Sequence, residues 1–223
     1  MSLKKQSLHN TEDHWLSVSD LMAGLMMVFL FISIALMREA VIEKNMIKDV
    51  AIAYQENQVA IYEALNQEFS KDLEKWKAEL NKENLTFIFK SPDTLFGNNE
   101  SKMKDEYKEI LQDFFPRYLN QILKFKDSID EVRIEGHTSS SGGYFYNMKL
   151  SQDRTRAVLK YVYNLKDVNS HKKWIKQHIA AVGFSSSKII KKDNKEDAEA
   201  SRRVSFRVIT NSEIQIRKIL EQK

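Results

Sequence analysis

A single carboxylate interrupts the longest apolar run of this chain. Asp20 sits near the start of "WLSVSDLMAGLMMVFLFISIALM" (Trp15–Met37), and from Leu21 to Met37 no residue is charged. With Leu16–Asp20 included, the run reaches the about 20 residues that cross a hydrocarbon core of ~30 Å. At a helical rise of ~1.5 Å per residue, Asp20 falls one to two turns inside one face of a membrane. A carboxylate there costs roughly 2.5–3.5 kcal/mol on insertion scales unless it is protonated or partnered. The chemistry open to such a group is ion or proton handling. The plainer alternative is an interfacial acid at a helix start, since Ser17 and Ser19 precede it.

Other reactive residue types point away from enzymology. The chain has no cysteine, which excludes disulfides and Cys-based zinc sites. His9, His14, His171 and His178 show no metal spacing. Ser139–Ser141 form no G-x-S-x-G elbow, so a serine hydrolase is not expected. No enzyme activity and no cofactor are expected.

The net charge of +4 and pI near 9.0 are mild. Lys and Arg alternate with Asp and Glu; even Lys188–Arg207 contains Asp193, Glu196, Asp197 and Glu199. Without a clean basic stripe, nucleic acid is not an expected partner. A cleaved signal peptide is also disfavoured. The apolar run exceeds the usual 7–15 residues, acids precede it, and no small-residue cleavage site follows "ALMREA". A retained membrane helix over 16–37 is expected, after a tail over 1–15. Flanking charges do not orient it, because Lys4 and Lys5 precede the run and Arg38, Lys44 and Lys48 follow it.

The elements that would position these groups read as follows. From Arg38 to about Asn81 there is no Gly or Pro, which predicts a helical linker over 38–83. Tyr62, Leu65, Phe69, Leu73, Trp76 and Leu80 recur every three or four residues. Such a stripe packs either on the following domain or on a second copy as a dimer stalk. An α/β sandwich is expected over 84–211, and a helical tail over 212–223. "LTFIF", "EVRIEG", "HIAAVGF" and "RVSFRVI" read as strands, the last with Val204, Phe206 and Val208 inward. "SPDTLFG" reads as a turn and edge segment. Helices are expected from about Lys102 to Phe125, with Pro116 as a break or kink, and over Asn147–Asn164. In the second, Leu150, Val158, Leu159, Val162 and Leu165 are core candidates, with Ser151 as a cap. Trp174 falls in a short helical insertion.

The densest signal is "GHTSSSGGYFYNMKLSQDRTRAV", Gly136–Val158. Gly136, His137, Thr138, Gly142, Asn147, Leu150, Ser151 and Arg154 stand in register with G-H-T-D-x-x-G-x-x-x-x-N-x-x-L-S-x-x-R. This stretch resembles the OmpA-like peptidoglycan-binding domain, with further matches at Leu95–Phe96 and "AEASRRVSFRV". The resemblance implies a ligand with carboxylates, and often the paired amine and carboxylate of diaminopimelate: the peptidoglycan stem peptide. Arg154 would then offer a planar fork to a carboxylate. The start of its helix would add N–H groups. Asn147 and Thr138 would give directional hydrogen bonds, Tyr146 a flat wall, and Leu150 an apolar contact, with Arg202 or Arg203 lining the groove. His137 would order the turn. Ser139 stands where the family carries Asp, which implies weaker binding or a shifted stem-peptide preference.

A wall-binding domain outside an inner membrane puts the N-terminus in the cytoplasm and Asp20 in the cytoplasmic half of the span. One acid-bearing span, a helical linker and an OmpA-like domain together resemble the MotB-like stator family. "WLSVSDLMAGLMMVFLF" is similar to that family's W…A-D-F-M-T-A-M-M-x-F-F, with Trp15 one residue closer to the acid. Within it, "SDLMAGLMMVFLFI" and "GGYFYNMKLSQDRTRA" resemble the ZorB branch of Zorya anti-phage defence systems more than flagellar subunits. The resemblance implies five polytopic MotA-like (ZorA-type) subunits around two copies of this chain, with Asp20 carrying H+ or Na+. It also implies a plug-like segment after the span, over about 38–53. A flagellar stator subunit and a passive envelope anchor are the alternative readings.

Overall fold

The computed structural model describes residues 6–90, 95–97 and 99–221. Two compact units divide between Asp49 and Val50. Helix α1 (Gln6–Phe69) supplies the described part of the first and enters the second. Helix already exists at Gln6, inside the stretch expected as a tail; residues 1–5 of that tail lie outside the described residues.

In the first unit, side chains from Val18 to Met37 are exposed all round the helix, with Leu21 at 76% and Met37 at 70%. A helix on a soluble surface would turn one apolar stripe inward, whereas this one is apolar on every side. It is long and apolar enough to cross a membrane.

The second unit opens with the last turns of α1. Ile61, Leu65 and Phe69 are buried in the core, where the Phe69 ring lies 5.4 Å from Phe87 and 5.3 Å from Phe114. Helix stops there, although the sequence favours it further. The chain turns back through hydrogen bonds such as Ala78 N–H to Leu73 O (2.8 Å), and Lys77 takes a φ of 50°. Strand β1 (Ala78–Asn81) then pairs antiparallel with β2 (Thr86–Phe89). The linker helix expected over 38–83 is therefore corrected. Burial of Trp76 and Leu80 and the ladder to β2 outweigh helix propensity, which is a weak prior. The expected stripe is consumed by its own domain, as Leu65, Phe69, Trp76 and Leu80 are buried and Tyr62 and Leu73 pack against them. It offers no seam for a dimer stalk.

Helix α2 (Asp105–Ile122) runs unbroken through Pro116. The missing N–H and ring clash expected to break it are outweighed by burial of Phe114, Phe115, Tyr118 and Leu119 around it. A 3-10 turn over Leu123–Ser128 leads into β3 (Ile129–His137), and α3 (Tyr144–Tyr163) carries the chain across to β4 (Ile179–Gly183). Because β3 and β4 are parallel, their connection needs such a crossover. Helix α4 (Lys172–His178) holds Trp174 within that crossover. A small hairpin, β5 (Lys191–Lys192) and β6 (Lys195–Glu196), and the turn α5 (Ala198–Ser201) precede β7 (Arg203–Thr210). Helix α6 (Asn211–Glu221) ends the described chain.

The main sheet has the order β1-β2-β7-β3-β4. Strand β7 sits at its centre, antiparallel to β2 and β3, with Val204, Phe206 and Val208 buried. Phe206 meets Phe114 at 5.2 Å and Tyr118 at 5.7 Å, so helix α2 closes one face of the sheet through aromatic contacts. Both polar loops of interest leave from the ends of β3 and β4.

Candidate functional site

Gly136 and Gly183 are register partners at the ends of β3 and β4. A Cβ on Gly136 would lie 2.6 Å from the Ser151 carbonyl, and one on Gly183 would lie 2.6 Å from Ser151 Oγ. Helix α3 can therefore approach the strand ends only because both positions lack side chains. Ser151 is fully buried at that contact, where its Oγ accepts the Ser185 N–H at 3.1 Å. It does not cap the helix; Gly143 occupies the N-cap.

Ser185, which the sequence reading missed, ties the two loops together. With φ at 52°, it donates Oγ–H to Tyr144 O (2.8 Å) and its carbonyl accepts the Thr138 N–H (2.9 Å). Asn147 stitches the 138–143 loop from inside. Its Nδ2 donates to Ser139 O (3.3 Å) and Ser141 O (2.9 Å), while its N–H reaches Gly143 O (3.0 Å). Gly142 has φ +92°, a conformation that glycine tolerates and other residues rarely adopt. Thr138, Ser139 and Asn147 are all buried, and they form the floor of the loop.

Arg154 is buried as well, at 7% exposure. Its Nε donates to Glu100 O at 2.8 Å and its Nη2 to Gly97 O at 3.4 Å, with the guanidinium 5.0 Å from the Phe96 ring centroid. The fork expected to face a ligand is thus turned onto the 97–100 turn and braces it.

That braced turn faces the first turns of α3 across a groove of about 490 Å³. Asn99, Glu100, Ser101 and Lys102 form one wall; Tyr146, Lys149, Leu150 and Asp153 form the other. Lys149 and Asp153 pair at 2.6 Å. Of the residues singled out from sequence, Tyr146 and Leu150 line this groove. Arg203 is spent elsewhere, donating to Lys188 O and Ser201 O at 3.2 Å, and Arg202 is half-buried with its N–H on Ala198 O. The 99–102 wall had a faint signal in the Leu95–Phe96 motif just before it.

Behind the loop, the His137 ring stacks on Phe184 (5.2 Å, 11°), with Nε2 at 3.5 Å from Glu135 Oε2. Burial holds the imidazole below its ordinary value; Glu135 opposes this, and Arg203 and Lys188 add to it. Burial pushes the Glu135 carboxyl up, but His137, Lys188 and Arg207 more than offset that and leave it below the usual carboxylate range. Glu196, also missed from sequence, accepts the Ser140 N–H (2.8 Å) and the Ser140 hydroxyl. Those bonds lower its pKa. Asp20 belongs to the other unit and lies exposed on α1 between Val18 and Leu21.

The sequence model of the OmpA family matches residues 95–203, the stretch that builds this groove and loop. Over the whole chain, the Zorya protein ZorB of Escherichia coli (strain Crooks) is 54% identical across 219 residues, covering 94% of this chain and 93% of the relative. The chain belongs to the ZorB family of Zorya proteins. A second ZorB, from an ETEC strain of Escherichia coli, is 24% identical over 92% of this chain and 83% of its own length. A putative MotB-like protein from Desulfovibrio vulgaris shares the fold at a TM-score of 0.50, with 16% identity over 73% of this chain and 94% of that one. This ZorB family chain thus has a long apolar N-terminal helix followed by an OmpA-like α/β domain with a mixed sheet.

Proposed function

We propose that this ZorB family chain is the wall-anchored B subunit of an ion-driven inner-membrane motor that acts in anti-phage defence. The observation that carries the reading is one chain's pairing of an acid in an all-round apolar helix with a groove walled by both charge signs. Asp20 is the only acid from Trp15 to Met37. The groove sets Glu100 and Asp153 beside Lys102 and Lys149, with Tyr146 as an amphipathic wall. A peptidoglycan stem peptide carries carboxylates and an ammonium, and such a groove can pair with both. Arg154 serves it by holding the 97–100 turn in place.

In this reading the chain passes the inner membrane once, with its N-terminus in the cytoplasm and its domain in the periplasm. It works as an ion-conducting stator subunit and not as an enzyme. A polytopic MotA-like (ZorA-type) partner, five copies around a dimer of this chain, supplies half-channels to Asp20, which loads and releases H+ or Na+. Moving one charge through the membrane potential yields about 2.3 kcal/mol per 100 mV, enough to bias a rotation step. Residues 38–53 act as the plug that limits leakage before the wall is engaged.

The deciding experiment is Asp20→Asn in cells carrying the complete system. Protection against phage is expected to vanish while expression and membrane insertion stay normal. Protection at the wild-type level would leave a passive wall anchor.

A further inference from the structure

Beyond Ile52, the large hydrophobic side chains exposed among the described residues sit together at one place: Tyr144, Phe145 and Tyr146, at 50%, 83% and 53%. The same domain buries Phe69, Phe87, Phe89, Phe114 and Phe206 completely. Three consecutive aromatic residues kept in water by such a domain mark a contact surface. The patch is also held in place. The Tyr144 carbonyl is fixed by Ser185 Oγ, Asn147 ties the loop before it, and the Tyr144 and Phe145 rings meet edge to face at 5.4 Å. Tyr146 is shared with the groove wall, so the aromatic surface continues directly out of the groove.

We propose that Tyr144 and Phe145 form a platform for a sugar ring of the wall's glycan strand. The proposal rests on the reading that the groove takes the stem peptide, because glycan and stem peptide are one covalent polymer and the platform begins where the groove ends. A pyranose presents a face of C–H bonds, slightly positive, to the negative face of an aromatic ring, while its hydroxyls stay hydrated at the edge. Small polar neighbours, Ser141, Gly142 and Gly143, are exposed beside the rings and leave room for those hydroxyls. No charge is required of this surface, unlike the groove.

Full-length protein in detergent can be tested against three probes: intact sacculi, glycan strands freed of stem peptides by an amidase, and the free stem tetrapeptide. Wild type is expected to bind all three. The double variant Tyr144→Ser/Phe145→Ser is expected to lose the stripped glycan and to bind sacculi about tenfold more weakly, with tetrapeptide binding unchanged. Phe145→Trp is expected to keep glycan binding, which separates stacking from a folding defect. Stripped glycan that fails to bind wild type, or binds the double variant equally well, overturns the platform. So does a double variant whose only change is a smaller oligomer by light scattering, because the rings would then be a contact between copies. Glycan binding that depends on the rings, with no tetrapeptide binding to any form, would keep the platform and sink the groove assignment.

Discussion

Glu196 reaches across 56 residues of sequence to hold Ser140, with Oε1 accepting the backbone N–H at 2.8 Å and Oε2 accepting the side-chain hydroxyl. The β5–β6 hairpin thereby clamps the loop whose floor is Thr138, Ser139 and Asn147. Glu196→Ala should speed amide hydrogen exchange at Ser140 and weaken sacculus retention. Glu196→Gln should preserve part of both and remove their acid dependence. A neutral amide can accept the N–H and donate to the hydroxyl but lacks the charge that strengthens those bonds. The folded-state pKa lies below the ordinary value, so the clamp's contribution is present above the unfolded pKa of about 4.3 and is lost as pH falls through the folded one. Unchanged exchange in the Ala variant would remove the clamp.

His137 gives the domain a pH dependence of the same sign. Its folded pKa is lowered, chiefly by burial, so between the two pKa values the unfolded chain binds more protons than the folded one. Stability is complete above the unfolded value of about 6.5 and declines as pH drops through the folded value. His137→Phe keeps a ring to stack on Phe184 and should flatten the melting temperature between pH 7 and 5. A variant that still declines like wild type would assign the effect to another group.

Arg154→Ala should act through the turn it braces. Losing buried hydrogen bonds from a charged donor costs about 1.5–3 kcal/mol, and the Gly97–Glu100 wall should loosen. Both thermal unfolding and sedimentation with sacculi should report it. Arg154→Lys should restore little, because an ammonium cannot reproduce the planar pair of donors. Wild-type sedimentation by the Ala variant would separate the brace from binding.

Phe69→Ala tests where the domain begins. Phe69 is fully buried against Phe87 and Phe114, so truncation should cost about 3–5 kcal/mol, measured by denaturant unfolding. If the residue instead belonged to a stalk outside the domain, the domain's own unfolding would barely change.

Periodicity made most of the fold legible. The alternation in "LTFIF" and "RVSFRVI" marks strands that exist, and the all-round apolar run marks a helix exposed on every side. Two features were misread for one reason. The stretch over 70–81 and Pro116 were judged by local propensity, and both were decided by which aromatic side chains the core had room to bury. The loop motif picked out residues that the structure gathers around one loop and groove, but not the backbone groups that they hold. Asn147 and Arg154 are polar residues of the sort that face ligands, yet Asn147 satisfies carbonyls of its own loop and Arg154 those of the distant 97–100 turn.

The sequence by itself determined the two ends of this protein: an acid in an apolar helix, and a glycine-bounded loop at a strand end. Helical and strand periods, and the absence of charge, are local properties that one chain displays in order. Only the tertiary structure decided what surrounds the loop. Ser185 and Glu196 reach it, and Glu100 reaches Arg154 on the helix that follows it, from segments far apart in sequence, through hydrogen bonds that no local pattern encodes. It also decided which aromatic residues stay in water, because burial is set by how the sheet and helices close on each other.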